Sequence, residues 1–282
     1  MRKIKPIRMT NEDLLRLQEK EVEIFSQVIN AINRMGLTYY CIGGTAIGAI
    51  KYHGFVPWDD DIDIALPRND FMEFINKGQG YLPKNLFISS CYTEKEYFIG
   101  VAKVRDSDTS FFDIETENYN VNHGIFIDIF PIDIYVKPSF RKRFLTKILL
   151  GRISFRNKNQ PFVAKAKSFI CSLLCFFKSP NKCRIKLDKM LMENSSKNST
   201  KIFNREMVFE RDVFGKPIEG VFSGLSVMLP EKIDEYLKMC FGDITKDVPL
   251  EKQISHHFAS FISTKNPYKD YEYHHGQVRK KK

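Results

Sequence analysis

The sequence predicts an α/β (α+β) fold, a mixed sheet core with flanking helices and a basic helical insertion. Three observations carry that reading. Helical periodicity and strand-like alternation follow one another through the first 136 residues. Two of the apolar strand patterns carry aspartate. A Lys/Arg-rich, Leu/Phe-rich stretch then interrupts the mixed patterning, which resumes after it. The 282 residues, 43% hydrophobic with 24 Phe, can bury a sizeable core, and this excludes a disordered chain.

Thr10 followed by Asp13 forms a capping-box-like start. Leu14, Leu17, Val22, Phe25, Val28, Ile29 and Ile32 then recur at helical spacing until Gly36, which predicts a helix over 11–35. "LTYYCI" (37–42) is rich in β-preferring residues and reads as a strand. Gly43 and Gly44 follow as a turn, 45–53 reads as a short helix, and Gly54 to Pro57 as a second turn. "DIDIAL" alternates with period two: Asp61 and Asp63 share one strand face, Ile62, Ile64 and Leu66 the other. A helix is expected over 68–78, and strands over 86–91, 97–104 and 125–130. In the last of these, Asp128 stands between Phe126 and Phe130 on an otherwise apolar face, and Pro131 is expected to end the strand.

From Lys137 to Lys189 there are 15 Lys plus Arg against one acid, Asp188. This segment is net +14 in a chain of net +10, so the remainder is mildly acidic. Its apolar runs predict two or three helices with basic flanks. A polar linker covers 193–201, "GVFSGLSVMLP" (220–230) reads as strand material, and "EKIDEYLKMCFGD" (231–243) as a helix closed by Gly242. The tail "HHGQVRKKK" is expected to be mobile. The division is 1–136 catalytic core, 137–200 basic helical segment, and 201–282 a C-terminal α/β part completing the domain. The N-terminus lacks the apolar stretch of a secretory signal, no run approaches a spanning helix, and the six Cys form no C-x-x-C pair. The expectation is a cytoplasmic protein.

Three carboxylates, Asp61, Asp63 and Asp128, on neighbouring strand faces repel one another, and a hard dication resolves the conflict. Mg²⁺ (or Mn²⁺) takes oxygen ligands and leaves positions for substrate phosphates, so the pattern fits a metal-bound nucleotide diphosphate. Gly43, Gly44 and Thr45, at a strand-to-helix turn, let backbone N–H groups approach a phosphate. Lys103 and Arg105, two apart on a strand, share a face and are candidates to neutralise phosphate charge; a solvated strand face is the alternative. Lys51 and His53 flank the site in sequence, with His53 read as a turn residue. Asp59 and Asp60 are read as turn residues or as supports for the ligands, and His256 and His257 carry no assignment. Asp59, Asp61 and Asp63 match positions 1, 3 and 5 of a Ca²⁺ loop, but Ile64 stands where that loop needs Gly and Asp70 where it needs Glu. A solvated acidic face leaves Asp128 unexplained.

"GGTAIGAIKYHGFVPWDDDIDIALPRNDF" resembles the signature block of the LicD family of phosphotransferases, and "HGIFIDIFPID" (123–133) its second block. "AKVRDSDTSF" (102–111) and "VMLPEKIDEYLKMCFGD…VPLEKQISHH" (227–257) are also similar to family segments, so the resemblance spans about 10–260. It implies a nucleotidyltransferase-type fold in which Asp61 and Asp63 match the paired carboxylates and Asp128 the third. The implied activity moves a phospho-substituent, phosphocholine from CDP-choline in the first instance, onto a cell-surface glycan, teichoic acid or lipopolysaccharide precursor, releasing CMP. CDP-ribitol or CDP-glycerol as donor is the alternative, as are a D-x-D glycosyltransferase and nucleotidyl transfer releasing pyrophosphate. The basic segment suggests peripheral contact with an anionic membrane at the inner face of the plasma membrane, or a helical subdomain with a solvated basic face. A nucleic-acid-binding protein would leave the carboxylates idle, and no nucleic-acid partner is expected.

Overall fold

The computed structural model describes residues 10–154, 162–175, 178–194, 198–204, 207–246, 248–249, 251, 253, 255, 257–274 and 277–281. The first helix, α1 (Asn11–Arg34), starts at a reciprocal capping box. Thr10 Oγ1 accepts from the Asp13 N–H at 3.1 Å, and Asp13 Oδ2 accepts from the Thr10 N–H at 3.3 Å. Such a cap stabilises a helix by about 1 kcal/mol. Gly36, at φ +68°, follows the last turn. The buried stripe of α1 runs through Leu17, Ile24, Phe25, Val28, Ala31 and Ile32 and joins the main core.

Then come β1 (Tyr40–Cys41), α2 (Gly43–Ile47), β2 (Asp63–Pro67), α3 (Arg68–Lys77), β3 (Leu86–Ser89), β4 (Ala102–Asp106), β5 (Ser110–Asp113) and β6 (Ile125–Ile134). The basic segment forms α4 (Phe140–Ser154), α5 (Phe162–Leu174) and α6 (Pro180–Met192). The C-terminal part adds β7 (Lys201–Asn204), β8 (Met207–Glu210), α7 (Arg211–Phe214), β9 (Ile218–Phe222), β10 (Leu225–Leu229), α8 (Ile233–Phe241), β11 (Ala259–Ser263), β12 (Tyr271–His274) and β13 (Gln277–Lys280).

The central sheet runs β1-β2-β6-β4-β3, with β7 and β8 added at the far end of β6. The β2–β6 pair is parallel, whereas β1–β2, β4–β6 and β3–β4 are antiparallel. The mixed α/β fold class holds. Several boundaries move, each for a local reason. Of "LTYYCI" only Tyr40 and Cys41 pair, opposite Ala65 and Ile64. Gly43 and Gly44 are the first residues of α2, not a turn before it, and the helix loosens into a π-turn over Gly48–Tyr52 that ends at left-handed His53. Residues 97–100 are not strand. Asn181 Nδ2 donates to the Tyr97 carbonyl at 2.7 Å and Arg184 Nε to the Phe98 carbonyl at 3.0 Å, so contacts with α6 override strand propensity. Strand β6 passes through Pro131, because register places this residue between Ile129, which pairs with β4, and Asp133, which pairs with β7. The 220–230 segment is not one strand but most of a β9–β10 hairpin: the end of β9, a turn at Ser223 and Gly224, and all of β10. In the tail, β12 pairs with β13 as a hairpin; His275, Gly276 and Lys282 lie outside the described residues.

The basic helices are bolted to the sheet from one side. Arg68, at the start of α3, is buried and donates twice to Asp133 of β6 at 2.7 Å and once to Asp188 of α6 at 2.8 Å. Tyr92 adds a hydroxyl to the other oxygen of Asp188 at 2.6 Å. Leu149, Ile153, Cys175, Cys183 and Leu187 form a small core of their own beside these contacts.

Candidate active site

Register builds the site. In the parallel β2–β6 pair, Asp63 sits opposite Asp128, and in the antiparallel β4–β6 pair Lys103 sits opposite the same Asp128. Three adjacent strands therefore present a row, Asp63–Asp128–Lys103, on one sheet face. Asp61 precedes β2, and one oxygen each of Asp61, Asp63 and Asp128 lie within 4.8 Å of one another. Asp63 and Asp128 are buried, and Asp61 is partly open. Lys103 Nζ contacts Asp128 Oδ1 at 2.6 Å and lies 3.4 Å from the centre of the Phe126 ring.

The strand start is pinned by α2. The Asp63 N–H donates to Thr45 Oγ1 at 2.8 Å, and the Ile42 N–H to the Asp63 carbonyl at 3.1 Å. Thr45 thus positions a carboxylate, a role its sequence context did not announce. Gly43 is left-handed at φ +59°, and its N–H is already bonded to the Tyr236 hydroxyl at 3.0 Å. Gly44 is glycine for space: a Cβ there would overlap Asp59 Oδ2. The Asp59 carboxylate therefore lies against the first turn of α2.

Negative charge is concentrated well beyond three residues. Asp60 is almost wholly buried. Burial raises the Asp61 carboxyl to about 7; His257 opposes this, while Asp59, Asp128 and Asp60 add to it. Burial, reinforced by Asp63 and Asp60, raises Asp59 to about 6. From α1, Gln18 Nε2 donates to the Asp59 carbonyl at 2.8 Å. Glu21, one turn on, is buried, and its carboxyl is held far above the usual range by burial and then by the charges of Asp61, Asp60, Asp59 and Asp128.

One residue from a distant segment answers this charge. The His257 N–H donates to Asp60 Oδ2 at 3.0 Å, and its Nδ1 lies 3.5 Å from Asp60 Oδ1 and 3.8 Å from Asp61 Oδ2. Its ring stands edge-on to Phe126 at 5.4 Å. Burial disfavours its cation, but Asp60, and then Asp61 and Asp128, outweigh burial and the nearby Lys103 and hold it at about 9. Asp60, Asp61 and His257 form a second group with ligand atoms within 4.8 Å, sharing Asp61 with the first.

The structure thus brings Asp61, Asp63, Asp128, Thr45 and Lys103 together. Lys103 and Arg105 are both buried, so the solvated-face alternative fails for them. Arg105 is directed away from phosphate duty, with Nη1 on the Gly124 carbonyl at 2.9 Å and its guanidinium 4.7 Å from the Phe126 ring centre. Lys51 donates to the Ile244 carbonyl at 3.1 Å, beyond the end of α8. His53 is the turn residue expected, left-handed at φ +52°. His256 lies outside the described residues. Sequence reasoning missed Gln18, Glu21 and His257. The first two carried a signal, polar residues set into the buried stripe of α1, with Glu21 four residues from both Leu17 and Phe25. His257 sits in an irregular segment and carried none.

The donor set suits a hard dication: oxygens of Asp61, Asp63 and Asp128 converge, with Lys103 against Asp128 and His257 against Asp60 and Asp61 as neighbouring cations. Residues 36–148 match the family model described as "LicD/FKTN/FKRP, nucleotidyltransferase domain". A curated relative, the lipopolysaccharide cholinephosphotransferase LicD of Haemophilus influenzae, is 46% identical over 43 residues, 15% of this chain and 16% of that protein. The chain thus aligns with about a sixth of that relative's length. The matched span contains Asp61, Asp63, Asp128 and Lys103, whereas Glu21 and His257 fall outside it. Over residues 36–148, the part that carries the carboxylate row, the chain is thus similar to the LicD/FKTN/FKRP nucleotidyltransferase domain.

Proposed function

We propose that the protein is a metal-dependent phosphotransferase that moves phosphocholine from CDP-choline to a hydroxyl of a cell-surface glycan or lipid-linked precursor. The observation that carries this reading is the convergence of Asp61, Asp63 and Asp128 within 4.8 Å, two of them register partners on parallel strands. These residues would hold Mg²⁺ (or Mn²⁺), which when bound neutralises the donor pyrophosphate and the departing CMP. The acceptor oxygen forms the new bond to the phosphorus carrying choline, and the bond from that phosphorus to CMP breaks. Transfers of this kind depend on positioning and charge more than on covalent catalysis. Lys103 fixes the Asp128 carboxylate and supplies positive charge beside it. Asp61, the most open of the three, is placed to take the hydroxyl proton. Thr45 serves by holding Asp63, and the space at Gly44 by seating Asp59. His257 orients Asp60 and Asp61.

The test follows CMP release from CDP-choline with Mg²⁺ and an acceptor glycan, with CDP-ribitol and CDP-glycerol in parallel. Asp63→Ala or Asp128→Ala should lower turnover by about 10²–10³-fold, the cost of removing a preorganised electrostatic group. Turnover within twofold of the parent would refute the metal-carboxylate reading. Release of CMP from another donor alone would replace choline but keep the reaction class.

A further inference from the structure

The fifth helix is built outside-in. Along α5, the small residues Ser168 and Cys175 are buried, with Cys171 at 4.0 Å from the Lys147 carbonyl of α4. Gly151 of α4 permits this approach, since a Cβ there would come within 2.6 Å of Cys171. The large apolar residues point the other way: Ile170 is 59% exposed, Leu173 55% and Leu174 65%. With exposed Ala166 these fall at i, i+4, i+7 and i+8, one continuous helical stripe. Lys165 and Lys167, both exposed, flank the stripe on its two sides. On the adjoining α4, Phe140 is 82% exposed beside the exposed cations Arg141 and Arg143. Between Asp133 and Asp188 the sequence contains no acidic residue.

We infer that this face docks on an anionic lipid surface, with α5 lying in the headgroup boundary, its aliphatic stripe inserted and its lysines on lipid phosphates. Exposed aliphatic side chains bordered by cations are the chemistry of an interfacial helix. A second copy of this chain on the same face would set cation against cation. A nucleic acid would match the charge and could stack on the exposed rings of Phe140 and Phe169, but it would leave the aliphatic stripe of Ile170, Leu173 and Leu174 in water, whereas a bilayer takes it up. Among the described residues no helix is long and apolar enough to cross a membrane, so the contact is a surface one. The inference is independent of the chemistry proposed for the aspartates, because vesicle binding requires neither donor nor metal.

The experiment is co-sedimentation of the full chain with phosphatidylcholine vesicles, with and without phosphatidylglycerol, at low and high salt. The full chain should sediment with the anionic vesicles only, and high salt should release it. Ile170→Glu with Leu173→Glu should reduce partitioning at least about tenfold, since each buried methylene contributes about 0.8 kcal/mol. Lys165→Gln and Lys167→Gln should each cost about fivefold, as expected of a cation at an anionic surface. All four side chains are exposed, so melting temperatures should match the parent and separate docking from misfolding. Failure of the parent to sediment, equal binding to neutral vesicles, or unaltered binding of the glutamate variant would overturn the inference. So would self-association abolished by the same variant, which would assign the face to a second copy.

Discussion

Asp61→Asn should stabilise the metal-free protein, and do so increasingly with pH. The Asp61 carboxyl is raised from 3.8 to about 7, by burial first and by Asp59, Asp128 and Asp60 after it, with His257 working against them. Between those two values the folded chain holds a proton that the unfolded chain releases. Stability therefore falls as pH rises from about 4 to about 7 and is level above that. Asparagine has no proton to lose and keeps the shape. A carboxyl displaced this far corresponds to a ceiling of about 4 kcal/mol. Part of that is shared repulsion among the neighbouring carboxylates, and the lost contact with His257 offsets some of the rest, leaving a gain on the order of 1–2 kcal/mol. For a chain of this size that is a rise of about 2–3 °C in Tm. The assay is thermal unfolding of parent and variant in EDTA from pH 4 to pH 9. The advantage of the variant should be small near pH 4, grow through pH 6 and level off above pH 7. Mg²⁺ should reverse the order, raising the Tm of the parent at pH 8 and leaving the variant behind. A difference that does not vary with pH, or a variant less stable than the parent at pH 8 in EDTA, would refute the argument that buried like charge at Asp61 is held against repulsion.

Two further outcomes follow from packing. Arg68→Met strands Asp133 and Asp188 as buried unpaired carboxylates and should cost about 3–5 kcal/mol in urea unfolding, with Arg68→Lys recovering little because the contact to Asp133 is bidentate; a loss under about 1 kcal/mol would refute it. Gly44→Ala drives a Cβ into Asp59 Oδ2 and should shrink the Mg²⁺-dependent rise in Tm; a variant stabilised by about 1 kcal/mol, as helix propensity alone would give, with an unchanged Mg²⁺ response would show that Asp59 is free to move aside.

Local periodicity made much of this legible. Helix α1 and its capping box, helix α8 closed at Gly242, and the alternation that puts Asp61 and Asp63 together all follow from neighbours within a few residues. Asp128 was visible because a lone acid in an apolar strand has to be explained. What escaped depends on long-range placement. No pattern near residue 257 says that its imidazole reaches Asp60, 197 residues earlier in the chain. Strand β6 outlives Pro131 because the gap between two pairing partners falls there, a fact about β4 and β7 rather than about β6. Lys103 and Arg105 share the face that alternation assigns them, yet one meets a carboxylate and the other a carbonyl, which depends on the bend of the chain at Gly124.

Asp128 and Asp133 lie five residues apart on one strand, an odd number, so they project from opposite faces of the sheet and about 17 Å apart along it. The sheet thus works as an insulating partition. On one side it carries an unbalanced acidic well, and on the other a neutralised knot that grips the basic helices. Because Arg68 clamps α3, β6 and α6 at a single point, those helices cannot swing on a loose tether. The outward stripe of α5 belongs to the same group of helices, since α5 packs on α4 through Cys171 and Gly151. One strand thus serves two ends: its Asp128 joins the carboxylate row, and its Asp133 anchors the helices that carry the exposed stripe.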